Sequence, residues 1–564
     1  MIPFTRLLAA AAAAASLLFA APAPAQRSPT MSSPPMPSPI VKAPAGTLEG
    51  TKEGDLLVFK GIPFAKPPVG PLRWRAPQPL PHWDGVREAT AFGPACFQPE
   101  SKLNNIYASA SPPPMSEDCL TLNIWAPAHA RHAPVFFWIY GGALWGGASR
   151  DPMYDGRKLA ERGLIVVSIN YRLGPLGWLA HPALSAESPR HISGNYGLLD
   201  QIAALHWVRD NIASFGGDPA NVTIAGESAG GLSVLYLLAS PPARGLFAKA
   251  IAESSYMVST QELKARAHGT PSAEESGVAL AAALHAPDLA ALRAMDPEKL
   301  TNAAAAAGFA PFGAVDGQIL PDQIAAIFDK SAQARVPVLA GFNSGEIRSL
   351  TILAPPAPAS PADYERTIRA AYGDLADAFL RLYPAAGMKE SIFATTRDAL
   401  YGWTAERVAR KQAALGLPSY LYLFDHGYPA ADEAGLHGFH ASELPYVFGT
   451  LNGTPPLWPK IPATPRETAL SDAMLDYWSS FARTGRPRAA HAPDWPAFAE
   501  GGAYMHFADT PQPATGLMPG MYALNEEVVC RRRAAGDLPW HWNVGLVSPK
   551  LPPATPACKA ATQR

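Results

Sequence analysis

Residues 226–231 read Gly226-Glu227-Ser228-Ala229-Gly230-Gly231. Before them, Asn221-Val222-Thr223-Ile224-Ala225 is a short apolar, β-branched run of the kind buried strands use, and after them Leu232 to Ala239 carries a helical pattern. A Gly-x-Ser-x-Gly on a strand-to-helix turn holds its serine on a tight bend, exposed above the sheet edge. Gly226 and Gly230 suit positions where a side chain would collide with the neighbouring strand or helix. The helix start beneath Ser228 aims partial positive charge at an anionic oxygen. The bare pattern is common by chance, but strand and helix on its two sides make Ser228 a candidate nucleophile rather than a turn serine.

Working outward, similar apolar runs recur at Pro134 to Tyr140, Leu164 to Ile169, Val336 to Ala340 and Tyr420 to Phe424. Continuous β-branched and aromatic runs are what strands buried on both faces look like. Helical patterns such as Leu198 to Ile212 separate them, which predicts an α/β fold with a large, mostly parallel sheet flanked by helices. No composition break or fixed-period repeat divides residues 41–547, so they read as one catalytic domain. With 46 Lys+Arg against 47 Asp+Glu, the chain has no positive surplus to neutralise phosphates. Nucleic-acid binding is not expected.

The N-terminus reads as a targeting segment. Arg6 precedes an apolar run from Leu7 to Ala21, and Ala23-Pro24-Ala25 offers a small-x-small cleavage pattern before Gln26. The run is about 15 residues, short of the roughly 20 that span a bilayer. Residues 1–25 are therefore expected to be a signal peptide and the protein to be exported, periplasmic or secreted, without stable membrane anchoring. Residues 26–40 read as a Pro/Ser-rich linker and 548–564 as a Pro/Ala-rich tail. The four cysteines, Cys96, Cys119, Cys530 and Cys558, favour disulfides in an exported chain. Cys96 and Cys119 are near enough in sequence to close a loop worth roughly 3 kcal/mol. Whether Cys530 and Cys558 pair is left open. No Cys/His spacing resembles a zinc site, and no metal or cofactor is expected.

A second glycine-rich stretch, Tyr140-Gly141-Gly142-Ala143-Leu144-Trp145-Gly146-Gly147, follows the Pro134 run. Small residues there let the N–H groups of Gly142 and Ala143 approach a substrate oxygen, and the N–H of Ala229 would complete an oxyanion hole. A serine hydroxyl needs a base oriented by an acid. Glu346, just past the Val336 run, would lie on the same sheet rim as Ser228. Of 14 histidines, His437 and His440 follow the Tyr420 run, and residue patterns alone divide the base role evenly between them.

At this point the sequence resembles the type-B carboxylesterase (carboxylesterase/cholinesterase) family of α/β-hydrolases. The matching blocks are Phe59 to Ala65 through Pro71-Leu72-Arg73-Trp74, Ser116-Glu117-Asp118-Cys119 to Trp125, the loop at Gly141, Gly194 to Gln201, and the Gly226 to Gly231 turn. The resemblance implies a gorge under inserted helices, Ser228 as nucleophile, Glu346 as acid and His440 as base. Many members carry an acidic residue three positions after the histidine, and Glu443 fills that place for His440. Gly142, Ala143 and Ala229 fit the oxyanion positions, and Cys96–Cys119 fits the first disulfide loop. That loop contains no Trp between Phe97 and Asp118, its aromatics being Phe97 and Tyr107, so the cation–π contact that cholinesterases make with choline is not expected. Leu144-Trp145 stands where relatives often place an aromatic first. The expected activity is hydrolysis of small-molecule carboxylic esters, with amide or lactone hydrolysis as the alternative for the same triad. Non-enzymatic adhesion relatives lack the nucleophile that this chain retains. Oligomeric state and the natural ester are not legible.

Overall fold

The structure, a computed structural model, describes residues 38–100, 106–108, 113–499, 501–540 and 543–558. The expected signal peptide and most of the linker lie outside the described residues. The glycine-serine turn belongs to an eleven-stranded sheet. In chain order its strands are β1 (Thr51–Glu53), β2 (Leu56–Pro63), β3 (Thr121–Pro127), β4 (Ala133–Ile139), β5 (Ile165–Ile169), β6 (Gly217–Glu227), β7 (Lys249–Glu253), β8 (Val338–Asn343), β9 (Ser419–Phe424), β10 (Ala503–Phe507) and β11 (Pro511–Thr515). The spatial order is β11-β10-β9-β8-β7-β6-β4-β5-β3-β2-β1.

Strands β5, β4, β6, β7, β8, β9 and β10 run parallel, and antiparallel pairs close both ends. Five of these parallel strands, β4, β5, β6, β8 and β9, are the apolar runs of the sequence. β4, β5, β7, β8 and β9 are buried along their whole length, as strands covered on both faces require. The fold is an α/β-hydrolase, as expected.

Alternation along β6 decides what each face meets. Thr223 points to the helix Pro465–Thr484, its hydroxyl donating to the Ala482 carbonyl at 3.3 Å. On the opposite side, a Cβ on Gly226 would come 2.5 Å from the Gly230 carbonyl carbon, in the helix Ala229–Ala239. Gly230 is as constrained, since its Cβ would lie 2.0 Å from the Ile139 carbonyl oxygen of β4. Both glycines are therefore packing requirements of the helix-on-sheet contact.

Two disulfides are formed, Cys96–Cys119 and Cys530–Cys558. The second anchors the stretch after Ser548. Leu551 is buried there, its N–H donating to the Ala371 carbonyl at 2.7 Å, and Ser548 Oγ accepts from Arg532 at 2.7 Å. Among the described residues, no helix is long and apolar enough to cross a membrane.

Candidate active site

Ser228 sits between the end of β6 and the first residue of the helix Ala229–Ala239, with φ 56° and ψ −120°. A non-glycine residue in that region stores strain on the order of 1–3 kcal/mol. The turn is held from below: the Ser228 N–H donates to the Glu253 carbonyl at 3.0 Å, and its carbonyl accepts from Leu232 at 2.8 Å. A Cβ on Gly141 would lie 3.0 Å from Ser228 Cβ, so the glycine loop presses directly against the serine.

That loop is left-handed over three successive residues, Gly142 (φ 105°), Ala143 (φ 56°) and Leu144 (φ 60°). Leu144 is buried, whereas Gly142 and Ala143 are exposed. Among the described residues, the N–H groups of Gly142 and Ala143 meet no acceptor. Ala229, first in its helix, has no residue a turn earlier within the helix to accept its N–H. The three predicted oxyanion donors are thus uncommitted backbone N–H groups around the same turn.

Glu346 and His440 come together because their loops are stitched. Gly345 donates to the Gly438 carbonyl at 2.7 Å and forms a parallel bridge with Phe439, while Asn343 Nδ2 donates to the Phe439 carbonyl at 2.8 Å. A Cβ on Gly345 would meet the Leu436 carbonyl at 2.7 Å, so the approach needs glycine. The outcome is a hydrogen bond between His440 Nδ1 and Glu346 Oε2, both side chains buried. Glu346 Oε1 accepts from Ser254 Oγ at 2.7 Å and from the Asn343 N–H at 2.8 Å, which fixes the carboxylate. His437, the rival base, is instead 45% exposed between Asp425 and Asp432 and touches neither Glu346 nor Ser228.

The other ring nitrogen, His440 Nε2, lies 3.1 Å from Glu227 Oε1, next in the chain to Ser228. Among the described residues, no hydrogen bond joins Ser228 Oγ to the imidazole. Two carboxylates therefore flank one ring. Burial pulls the imidazole pKa down, but Glu227 and then Glu346 outweigh it, and His440 is raised to about 9. Burial pushes Glu227 upward, offset in part by His440.

Two further buried carboxyls stand behind Glu227. Glu253 pairs with it across β6 and β7 and accepts from Trp478 Nε1; burial raises it to about 8. Glu443 accepts from Asn343 Nδ2 and is pushed well above the carboxylate range by burial and by the neighbouring glutamates. Sequence reasoning missed Ser254 and Glu253. The available signal was their place at the C-terminal end of an apolar run, Ala250-Ile251-Ala252, on the same rim as Ser228. Tyr107, noted only as an aromatic of the disulfide loop, has its hydroxyl 2.9 Å from the His440 carbonyl and 2.7 Å from Ser349 Oγ.

Residues 37–520 match the profile described as the carboxylesterase family. The chain is 38% identical over 491 residues to the fumonisin B1 esterase of Sphingopyxis macrogoltabida, covering 84% of this chain and 87% of that protein. It is 38% identical over 477 residues to the para-nitrobenzyl esterase of Bacillus subtilis, covering 82% and 93%. Among solved structures, a PNB esterase aligns with TM-score 0.73 at 36% identity, over 84% of this chain and 96% of that one. A carboxylesterase of Geobacillus stearothermophilus aligns with TM-score 0.74 at 33% identity, over 86% and 99%. On this overlap of sequence and fold, the chain belongs to the carboxylesterase family and is a carboxylic ester hydrolase.

Proposed function

We propose that the protein hydrolyses small-molecule esters by two-step acyl transfer through Ser228, His440 and Glu346. His440 takes the Ser228 proton as Oγ attacks the carbonyl carbon, and the developing oxyanion is received by the N–H groups of Gly142, Ala143 and Ala229. The imidazolium then protonates the leaving alcohol. Water, deprotonated by the same ring, attacks the acyl-enzyme, and the acid leaves as Ser228 recovers its proton. Glu346 fixes the tautomer through Nδ1 and stabilises the cation. No step needs a metal or cofactor.

The observation that carries this reading is the bond between His440 Nδ1 and Glu346, which leaves Nε2 directed to Glu227, the residue before Ser228. Substrate binding is where a Ser228–His440 hydrogen bond is expected to form, since catalytic hydrogen bonds are often not made without ligand. The test is covalent labelling by a fluorophosphonate, read as the labelled peptide. Ser228→Ala is expected to abolish it; label retained in the site of that variant overturns the assignment. A panel that includes nitrobenzyl and bulky natural esters, amides and lactones reads the substrate class, and turnover of amides without esters replaces the esterase reading. Export is part of the proposal, supported by the apolar N-terminal run and the two disulfides. Cell fractionation that finds the protein in the cytoplasm removes that part.

A further inference from the structure

Three tyrosines gather around the His440 loop, and their hydroxyls differ in use. That of Tyr107 is held against Ser349 and the His440 carbonyl. Tyr401 places its ring 5.3 Å from the His440 ring, and Tyr256 packs edge-on against Tyr401 at 6.0 Å. Both side chains are buried, Tyr401 at 3% and Tyr256 at 9% exposure. Among the described residues, neither hydroxyl has a hydrogen-bond partner. They are not sealed off either, unlike the unpaired hydroxyls of Tyr140 and Tyr422, which have no accessible surface. A buried phenol normally finds a partner within the protein. These two keep theirs free, one on a ring packed against the imidazole and the other on the ring next to it.

Their placement is built rather than incidental. Tyr401 lies in a π-helical turn, Asp398–Gly402, ahead of the helix Trp403–Ala414; such widened turns recur at functional sites. Asp398 pins the turn by accepting from Tyr383 at 2.9 Å and from Arg397 at 2.7 Å. Thr404 then ties the two tyrosine segments together: its hydroxyl donates to the Leu400 carbonyl at 2.7 Å and accepts the Met257 N–H at 3.0 Å.

We propose that Tyr401 and Tyr256 donate hydrogen bonds to a second oxygen of the substrate, so that the site favours esters carrying an ether, hydroxyl or carbonyl oxygen within a few atoms of the scissile bond. The inference rests on the serine-esterase reading of the same site. Burial keeps both phenols protonated, hence donors. The carboxyl groups of Glu346 and Glu227 already act on Tyr401, which disfavours a further carboxylate at close range and selects a neutral acceptor. A purely aliphatic ester would leave the two hydroxyls desolvated and unpaired, and a site built to bond an oxygen discriminates against the analogue lacking it.

The test uses matched pairs that differ by one CH2-to-oxygen exchange: nitrophenyl methoxyacetate against nitrophenyl butyrate, and methoxyethyl butyrate against butyl butyrate. The full-length enzyme is compared with Tyr401→Phe, Tyr256→Phe and the double variant. Each reading is the oxygen-to-carbon ratio of kcat/KM, so intrinsic reactivity cancels between enzymes. In at least one pair the ratio is expected to fall about 3- to 10-fold, the worth of one neutral hydrogen bond. A ratio unmoved in both pairs, or both members of each pair falling in parallel, overturns the proposal. If Tyr401→Phe fails to fold, Tyr256→Phe decides it. Wild-type enzyme that turns over neither butyrate ester and takes no fluorophosphonate sinks the esterase reading itself. Turnover with unmoved ratios sinks only the tyrosine pair.

Discussion

Glu227 Oε1 lies 3.1 Å from His440 Nε2, the nitrogen that receives the Ser228 proton in the proposed mechanism. With Glu346 on the opposite nitrogen, the imidazolium is stabilised from both sides. A protonated ring cannot accept the Ser228 proton, so raising its pKa moves the loss of activity to higher pH. The acid limb of kcat/KM is expected to have its midpoint above 6.5, the ordinary imidazole value. Glu227→Gln removes one of the two charges and should move that midpoint down towards 6.5. A pH-rate profile in which both enzymes share one midpoint counts against this electrostatic coupling.

Ser254 donates to the same Glu346 whose second oxygen holds His440. Hydrogen bonds to a charged group are worth about 1.5–3 kcal/mol. Ser254→Ala should therefore lower kcat roughly 10- to 100-fold while KM changes little, because the contact positions the base and does not touch substrate. Steady-state kinetics on a nitrophenyl ester separate the two parameters. A KM effect with kcat intact assigns Ser254 to substrate binding instead.

The left-handed glycine loop allows little change at Gly142. A Cβ there would lie 2.3 Å from the Gly146 carbonyl oxygen at φ 105°, so the loop has to move and its N–H with it. Loss of one oxyanion donor costs about 2.7–4 kcal/mol of transition-state stabilisation. Gly142→Ala should cut kcat on the order of 100-fold with the melting temperature lowered only slightly. Full activity in this variant would remove Gly142 from the oxyanion site.

The Cys530–Cys558 bridge closes a loop with a sequence separation of 28. Chain entropy puts its contribution at about 3–4 kcal/mol. The Cys530→Ser/Cys558→Ser variant should melt several degrees lower, with specific activity at moderate temperature preserved, since neither cysteine approaches Ser228. Thermal melts with and without reductant measure this, and indistinguishable curves would argue that the bridge is not made in solution.

Most of the architecture was legible because fully buried parallel strands leave continuous apolar runs, and five such runs became β4, β5, β6, β8 and β9. The turn at Ser228 was legible because its glycines are forced by close packing that no other residue tolerates. Ser254 and Glu253 were not, for they follow a short run, Ala250-Ile251-Ala252, whose strand character depends on pairing with β6 and β8. The choice of His440 over His437 could not be made from local pattern, since both lie in one loop. What distinguishes them in the structure is the long-range bridge between Gly345 and Phe439, which brings only His440 to Glu346 and supports the proposed choice. The pairing of Cys530 with Cys558 was undecidable for the same reason: it depends on Leu551 docking beneath Ala371, a tertiary contact.

The order of β6, β7, β8 and β9 across the sheet has an evolutionary consequence. Ser228 and Glu346 follow the ends of β6 and β8, and His440 lies in the loop beyond β9, while the long excursions 256–335 and 347–417 leave from the same rim and return to the opposite end of the next strand. Neither excursion contributes a strand to the eleven-stranded sheet, so a change of length within its exposed parts leaves the strand register alone. New substrate ranges are therefore reachable by grafting whole excursions onto an unaltered reaction centre, and a chimera library cut at those borders is the natural way to diversify this enzyme.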